Sequence, residues 1–278
     1  MRYSELSDAE LAGLYAFPDG RVVRANMVAS ADGAATLAGA SAGLSSAADR
    51  RVFMLNRALA DVILVGANTA RIEHYGPARA SESWRHLREG RPATPPIAVV
   101  TARLDLDPAS PLIAGAPPAA RTIVITTSRA PEDVRAEVAR HADVIVAGEV
   151  AVDPKAAIAA LYDRGHQHIL TEGGPGLLSQ LVDAGLIGEL CLTIAPLLAG
   201  PGAPRILAGA PMPEALPLSL VHTLEDAGFL LCRYKAQLSR TTSVLPLGPT
   251  LPQAPALLAV ITSVRRGALL AVIKASGL

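Results

Sequence analysis

An apolar run in the second half of the chain stops at a pair of glycines and continues with a helical pattern. Residues 169–178 read Ile-Leu-Thr-Glu-Gly-Gly-Pro-Gly-Leu-Leu. Gly173 and Gly174 can take positive φ and let a ligand approach bare backbone, and Pro175 suits the first helical position, where no N–H is needed. The segment predicts a strand, a tight turn and a helix whose free amides bind a phosphate. A turn without a ligand is equally compatible with these letters.

The composition favours an α/β protein with a large aliphatic core. The chain has 278 residues, of which 50% are hydrophobic and 3% aromatic, so Ala, Val, Leu and Ile must build the core. This is typical of sheets that are covered by helices on both faces. The formal net charge is zero at pH 7. No basic excess therefore indicates a nucleic acid or a membrane surface as a partner.

Cysteine usage and the first residues predict a cytoplasmic location. Cys191 and Cys232 lie far apart, each within an apolar run, which favours buried free thiols in a reducing compartment over a disulfide. Residues 1–5 contain no apolar signal core. Two apolar patches, residues 256–260 and 268–273, are each shorter than the roughly 20 residues of a membrane span. We therefore expect no membrane segment.

Short apolar runs alternate with helical patterns along most of the chain. The alternation predicts a mainly parallel central sheet flanked by helices, and two last runs around residues 225–228 predict an antiparallel C-terminal hairpin at its edge. Ser46, with Asp49 three residues later, indicates a helix start. Residues 66–69 predict a turn, and residues 76–96 and 199–217 predict loops. The predicted strands are 21–30, 61–66, 97–101, 122–127, 143–147, 189–196, 218–224 and 228–235, and the predicted helices are 47–60, 131–139, 154–162 and 175–183.

The chain divides into three segments. Residues 1–20 are polar and mixed, with a helical spacing of Leu and Tyr, and predict a short helical preamble. Residues 21–237 contain the complete strand and helix pattern and predict one domain. Residues 238–278 are Pro-rich and then apolar, and we expect them to form a tail separate from that domain.

Three segments in a particular order resemble the reductase domain of bacterial riboflavin biosynthesis. They are residues 23–33, 57–69 and 170–175, which read VRANMVASADG, RALADVILVGANT and LTEGGP. The resemblance implies the dihydrofolate reductase-like fold, with NADPH bound across the carboxyl ends of the parallel strands. The zinc-deaminase signatures H-x-E and P-C-x-x-C of the bifunctional enzymes are missing, so we expect a reductase alone, without a metal. We also expect a homodimer.

The resemblance implies a cofactor site made from the glycine turn and the ends of other strands. The phosphates of NADPH would meet the turn, because backbone amides neutralise a diffuse anion. The adenosine 2′-phosphate would lie near Thr101 and Arg103, where a hydroxyl and a guanidinium favour NADPH over NADH. A solvated loop arginine is the alternative for Arg103. The candidate cofactor residues are Gly66, Thr69, Thr101, Arg103, Glu172, Gly173, Gly174, Gly176 and Leu177.

The resemblance also implies a substrate site beside the first strand and the helix after it. Hydroxyls and arginines there suit a phosphorylated ribityl or ribosyl group. The sequence departs from the family at Asn26, where the family has a lysine, and at His74-Tyr75-Gly76, which replaces Asp-Pro and downstream arginines. The candidate substrate residues are Asn26, Ser30, Ser41, Leu44, Ser45, Ser46, Arg50, Arg57 and Thr69, and the candidate catalytic residues are Asp32, Asp49 and Glu73.

Asp49 leaves two substrate classes possible, a phosphoribosylaminopyrimidine and a pterin. The riboflavin pattern usually has alanine at this position, whereas dihydrofolate reductases place an acid on this helix to bind the 2-amino and N3 edge of a pterin. Asp49 would otherwise only complete the helix N-terminus. Three hypotheses remain. They are NADPH-dependent reduction of 5-amino-6-(5-phosphoribosylamino)uracil with hydride transfer to the ribosyl C1′, reduction of dihydrofolate, and NADPH binding without turnover.

Overall fold

The structure, a computed structural model, describes residues 1–212 and 214–237. The predicted tail, residues 238–278, lies outside the described residues. The strands are β1 (Val22–Ser30), β2 (Val62–Gly66), β3 (Ile97–Val100), β4 (Ile123–Thr126), β5 (Asp143–Val146), β6 (His168–Thr171), β7 (Glu189–Ala195), β8 (Leu218–Asp226) and β9 (Phe229–Ala236). The α-helices are α1 (Asp8–Tyr15), α2 (Ala47–Leu59), α3 (Ala67–Ile72), α4 (Pro111–Ala114), α5 (Glu132–His141), α6 (Pro154–Asp163) and α7 (Pro175–Asp183).

The strands form one sheet in the order β5-β4-β3-β2-β6-β1-β7-β9-β8. Every neighbouring pair from β5 to β7 is parallel, whereas β9 is antiparallel to both β7 and β8. The predicted dihydrofolate reductase-like class, a mainly parallel sheet with an antiparallel C-terminal hairpin, is confirmed. Ala227 and Gly228 take positive φ in the hairpin turn, which lets the chain reverse between β8 and β9.

Helices cover both faces of the sheet, and this explains the unbroken apolar runs of its central strands. Four successive residues of β2, Val62 to Val65, are at most 1% exposed. One face packs against α6 and α7 through residues such as Leu161 and Leu178. On the other face α2 packs with α1 through residues such as Leu55. Burial of each such aliphatic side chain contributes about 1.5–3 kcal/mol, so the core rests on these two layers.

The structure adds helical segments where the sequence predicted a turn or a loop. Residues 66–69 are not a simple turn, because α3 begins at Ala67, directly after β2. The helix is short and has no side-chain cap, so the sequence carries no clear signal for it. The predicted loop 76–96 contains a 3₁₀-helix, Glu82–Arg88, which the packing of Trp84 against the core supports.

Cys191 and Cys232 are free and buried, as predicted. Burial raises the pKa of the Cys191 thiol to about 11, which keeps it protonated and unreactive at neutral pH. Within the described ranges, no helix combines the length and the apolar character that crossing a membrane requires.

A buried cluster of two arginines and one glutamate joins three neighbouring strands. Glu189 on β7 accepts hydrogen bonds from Arg24 Nε at 2.8 Å and Nη2 at 2.6 Å, and from Arg233 Nη2 at 2.7 Å. The two guanidiniums also donate to carbonyls at the C-terminal end of α1, Arg24 to Tyr15 at 2.6 Å and Arg233 to Ala16 at 3.0 Å. The N-terminal helical segment is therefore held against the sheet through its backbone.

We predict that Glu189→Gln lowers the free energy of unfolding by about 3–5 kcal/mol, because two buried guanidiniums then lack a carboxylate. Urea denaturation followed by circular dichroism measures this change. Glu82 and Arg85 form an exposed pair, so Glu82→Gln is a matched control that should change stability by less than about 0.5 kcal/mol. Equal and small effects of the two substitutions would contradict a structural role for the buried cluster.

Candidate active site

The ends of four parallel strands bring the candidate residues to one edge of the sheet. In the register of the sheet, Thr171 on β6 pairs with Ala25 on β1 and with Leu64 on β2, and Gly66 pairs with Val100 on β3. The residues that follow these pairs therefore lie at the same edge of the sheet. They are Asn26, Ala67, Thr101 and Glu172. Ligands bind at this edge in open parallel sheets, and here it forms the cleft of the candidate site.

The glycine turn has the predicted conformation of a strand, a turn and a helix. Gly173 has φ +84°, Gly174 is the N-cap of α7, and Pro175 is its first residue. The peptide bond between the two glycines is cis. The Gly66 amide donates to the Gly173 carbonyl at 2.8 Å, which ties the end of β2 to the turn. The turn is thus anchored to the end of β2 by a backbone hydrogen bond.

The first turn of α7 presents backbone donors. Leu178 N donates to Gly174 O at 2.9 Å, whereas the amides of Gly176 and Leu177 have no acceptor among the described residues. Gly176 is exposed, and a Cβ built on it would meet no atom within 4 Å. A Cβ on Gly174 would instead overlap Thr69 Oγ1. Gly174 is therefore required for packing against α3, and the open space for a ligand lies at Gly176.

The loop after β3 is ordered by Thr101. Thr101 Oγ1 donates to Asp105 Oδ1 at 3.0 Å and accepts from Leu104 N at 3.1 Å, and Asp105 is paired with Arg71 of α3 at 2.8 Å. Thr101 is buried by these contacts, while Arg103 is exposed at the tip of the loop. Of the two predicted adenosine-site residues, Thr101 shapes the loop and Arg103 is accessible to a ligand.

A carboxylate, a guanidinium and a phenol meet at the end of β6. Arg57 Nε and Nη2 donate to the two oxygens of Glu172, each at 2.7 Å, and Tyr75 Oη donates to Glu172 Oε2 at 2.5 Å. Burial and the Glu172 charge raise the pKa of Tyr75 well above its usual value. Burial lowers the Arg57 pKa, but attraction to Glu172 outweighs it and leaves the pKa raised. The cluster therefore holds a charged ion pair and a neutral phenol.

Tyr75 was absent from the sequence-based site, although it lies in the segment where the sequence departs from the family pattern. That departure was the only available signal for it. Residues Glu172 and Tyr75 are 97 positions apart, and no local pattern links them.

Asp49 lies in the N-terminal turn of α2, at the site expected for it. Ser46 Oγ accepts from Asp49 N at 3.0 Å, so Ser46 is the predicted N-cap, and Ser45 Oγ donates to Asp49 Oδ2. Asp49 is only 7% exposed, and no basic side chain pairs with it among the described residues. Asp49, Phe53 and Arg57 recur every four residues of α2 and share one face. That face is the one that reaches Glu172.

Two other candidate residues, Ser41 and Glu73, form a hydrogen bond with each other, whereas the candidate Arg50 contacts neither of them. Ser41 N donates to Glu73 Oε1 at 2.9 Å, which holds the 3₁₀ segment Ala42–Leu44 near the end of α3. Leu44, the last residue of this segment, is fully buried. Arg50 is exposed, and its contact within the described residues is to the Ser45 carbonyl at 3.4 Å. Arg50 therefore lies at the rim of the site.

Asp32 has a structural environment at the end of β1. Its carboxylate accepts from Ala199 N at 3.1 Å and Gly200 N at 2.8 Å, and also from Ser30 Oγ. The Ser30 hydrogen bond and these amides lower the pKa of Asp32 to about 2. Ser30 Oγ in turn accepts from Ala34 N. These contacts clamp a long loop onto the β1 turn, and the catalytic role of Asp32 stays a prediction.

Comparison with known proteins gives two relatives with the same name. The family model described as "RibD C-terminal domain" matches residues 21–230. A 2,5-diamino-6-ribosylamino-4(3H)-pyrimidinone 5′-phosphate reductase from Archaeoglobus fulgidus is 29% identical over 159 residues, which are 56% of this chain and 71% of that protein. The protein of the same name from Methanothermobacter thermautotrophicus is 28% identical over 214 residues, which are 75% of this chain and 95% of that protein.

A solved structure shares the fold along most of the chain. It is a pyrimidine reductase-like protein from Corynebacterium diphtheriae, with a TM-score of 0.73 and 27% identity, and the match covers 83% of this chain and 99% of that one. The family match spans the strands β1 to β8 and the residues of the cleft. The chain therefore belongs to the RibD C-terminal domain family.

Proposed function

We propose that the protein is an NADPH-dependent reductase of riboflavin biosynthesis that reduces the ribosyl group of a phosphorylated ribosylaminopyrimidine. Family membership and the names of both relatives support this function. The observation that carries it is the first turn of α7, where free backbone amides open next to Glu172 and its partners. A site of this kind suits a phosphate-bearing ligand beside a polar substrate pocket.

The described residues fit the cofactor. The amides of Gly176 and Leu177 and the positive end of the α7 dipole suit the diphosphate, and no side chain fills the space at Gly176. Thr69 Oγ1 lies against Gly174, at the same edge. Arg103 supplies an accessible guanidinium for the 2′-phosphate. These contacts use charge and backbone geometry to hold the cofactor across the strand ends.

In the reaction, the residues of the cleft bind and orient the reactants. NADPH, when bound, would supply a hydride from nicotinamide C4 to the ribosyl C1′. The C1′–O4′ bond would break, and O4′ would take up a proton from solvent. Arg57 balances the charge of Glu172 and fixes both carboxylate oxygens, so this carboxylate keeps one orientation. The neutral phenol of Tyr75 keeps its proton and donates a hydrogen bond to Glu172. Positioning of this kind is the main contribution a protein makes to hydride transfer.

Asp49 supports a 2-amino-pyrimidinone as the substrate rather than a uracil. A 2,5-diaminopyrimidinone presents a 2-amino group and an N3–H side by side, as a pterin does, and a carboxylate accepts both hydrogen bonds. Asp49 is a buried carboxyl group that accepts from Ser45 and has no cationic partner in the described part of the chain, which leaves acceptor positions for such an edge. The residue that raised the dihydrofolate hypothesis is thus accommodated within the riboflavin reaction.

The homodimer and the cytoplasmic location also belong to this proposal. The edge strand β8 leaves Leu220 and Val221 at least half exposed, which supports a subunit contact there.

We predict that Asp49→Asn lowers kcat/KM for the 2,5-diamino substrate by roughly tenfold to a hundredfold, because a hydrogen bond to a charged group contributes about 1.5–3 kcal/mol. The activity with the uracil analogue should change little, since its edge offers no adjacent amino group. NADPH oxidation measured with each substrate gives the comparison. Equal small losses with both substrates would leave Asp49 as a helix-end residue.

Gly176→Asp should weaken NADPH binding by on the order of tenfold or more, because the new carboxylate repels the diphosphate at the α7 N-terminus. The fold should be unaffected, since a side chain at Gly176 meets open space and an acid suits this helix end. Isothermal titration calorimetry measures the dissociation constant. Gly176→Asn is the neutral control of the same shape, and it should bind NADPH more tightly than Gly176→Asp. Identical affinities in the two variants would place the phosphates elsewhere.

For the adenosine end, Arg103→Ala should raise the Kd for NADPH by about tenfold and leave the Kd for NADH unchanged, because only NADPH carries the 2′-phosphate. The ratio of the two constants is the measurement. Arg140→Ala on the exposed face of α5 serves as the control and should leave the ratio at its wild-type value. A parallel change in both constants after Arg103→Ala would argue against this site.

A further inference from the structure

We propose that Asn26 presents a hydrogen-bond donor of set direction to the substrate, and that Asn56 and Arg24 are positioning residues which determine that direction. The identity of the substrate rests on the function proposed above. The three side chains form a series of hydrogen bonds that begins at the buried cluster around Glu189 and ends at the cleft.

The series is continuous and mostly buried. Arg24 Nη1 donates to Asn56 Oδ1 at 3.0 Å, and Asn56 Nδ2 donates to Asn26 Oδ1 at 3.1 Å. Arg24 and Asn56 are 0% exposed, whereas Asn26 is half-buried. The amide nitrogen of Asn26 has no acceptor among the described residues, and it is not one of the atoms sealed from solvent without a partner. Asn26 is therefore the open end of the series.

The polarity of the series follows from Arg24. A guanidinium can only donate, so the oxygen of Asn56 must face Arg24 and its nitrogen must face Asn26. Asn26 then turns its oxygen inward and its nitrogen outward. An isolated asparagine could present either group, and here the buried charge removes that freedom. Arg24 cannot turn away, because Glu189 and the Tyr15 carbonyl hold it.

The open end lies inside the candidate site. The pairing of β1 with β6 ends at Ala25 and Thr171, so Asn26 is the neighbour of Glu172 across the sheet. Paired positions of adjacent strands point to the same face, which here is the face that α2 covers with Arg57. Asn26 and the ion pair of Glu172 with Arg57 thus border the same part of the cleft.

This arrangement restricts what the substrate can place at Asn26. The outward group is a neutral donor, so it donates to a carbonyl or hydroxyl oxygen of the substrate and disfavours an amino group. Asn26 thereby complements Asp49, whose carboxylate accepts hydrogen bonds from donor groups of the substrate. The two side chains together distinguish the donor edge of the substrate from its acceptor groups.

The direction of Asn26 can be tested without substrate. Asn56→Asp keeps the acceptor for Arg24 but offers only acceptors to Asn26, so Asn26 must turn its nitrogen inward. The added charge meets two arginines and one glutamate, which carry a net positive charge. In ¹⁵N-resolved NMR of the full chain, we expect one Asn26 side-chain proton to shift and to exchange roughly tenfold more slowly in Asn56→Asp. Unchanged Asn26 resonances in folded Asn56→Asp would overturn the inference.

Kinetics test the consequence for the substrate. Asn56→Asp and Asn26→Ala should each raise KM for the diaminopyrimidinone roughly tenfold, with the Kd for NADPH unchanged. In the Asn26→Ala background, Asn56→Asp should add nothing, because Asn56 acts through Asn26. Gln180→Glu makes the same amide-to-acid change at an exposed position of α7 and should retain the wild-type KM.

Two outcomes of the kinetic test would overturn the inference. In the first, Asn56→Asp raises KM in the Asn26→Ala background by the same factor as in the wild type. In the second, folded Asn56→Asp keeps the wild-type KM. If Asn56→Asp does not fold, Asn26→Asp takes its place, and it should raise KM more than Asn26→Ala because it turns an acceptor toward the substrate. Lack of turnover by the wild type would overturn the proposed function, and the NMR measurement would still decide the direction of Asn26.

Discussion

The ion pairs of one buried carboxylate organise the substrate side of the molecule. Glu189 accepts from Arg24 and Arg233 and so joins β7 to β1 and β9, and both arginines bind the backbone at the C-terminal end of α1. Burial of the Glu189 carboxylate costs free energy that these two partners offset, and each arginine in turn needs the carboxylate. The same Arg24 orders Asn56 and, through it, Asn26. Stability and the orientation of a substrate group therefore depend on the same interaction.

The cofactor side is built differently. Its donors are backbone amides at the start of α7. Strand β6, the hydrogen bond from the Gly66 amide to the Gly173 carbonyl, and the contact of Gly174 with Thr69 fix the positions of these amides. Backbone donors lose little conformational freedom on binding and carry no net charge, which suits a diffuse anion. Side chains then add selectivity at the periphery, where Arg103 is exposed and Thr101 orders its loop.

The positions that depart from the family pattern have partners within the site. Tyr75 donates to Glu172, and Asn26 accepts from Asn56. Asp49, where alanine is usual, is held by Ser45 and lies on the helix face that carries Arg57. Because hydrogen-bonded neighbours couple energetically, these residues are best understood as one set that defines the substrate edge.

Local patterns in the sequence determined the elements of the fold. The spacing of apolar residues and the positions of glycine and proline predicted α7 at residues 175–183, with Pro175 at its start. The alternation of strands and helices predicted the parallel sheet. These features depend on neighbours a few residues apart, which a sequence displays directly. The short helix α3 was not predicted, because it has only six residues and no side-chain cap. Tertiary contacts with β2 and the glycine turn stabilise it.

Only the tertiary structure decided which candidate residues act together. Arg24 and Glu189 are 165 positions apart, Arg57 and Glu172 are 115 apart, and Asp32 meets the loop at Ala199 and Gly200. The amino-acid sequence shows the chemical type of each residue, but the register of the sheet decides which residues it contacts. That register arises from the packing of whole strands and helices, and no local sequence pattern contains it.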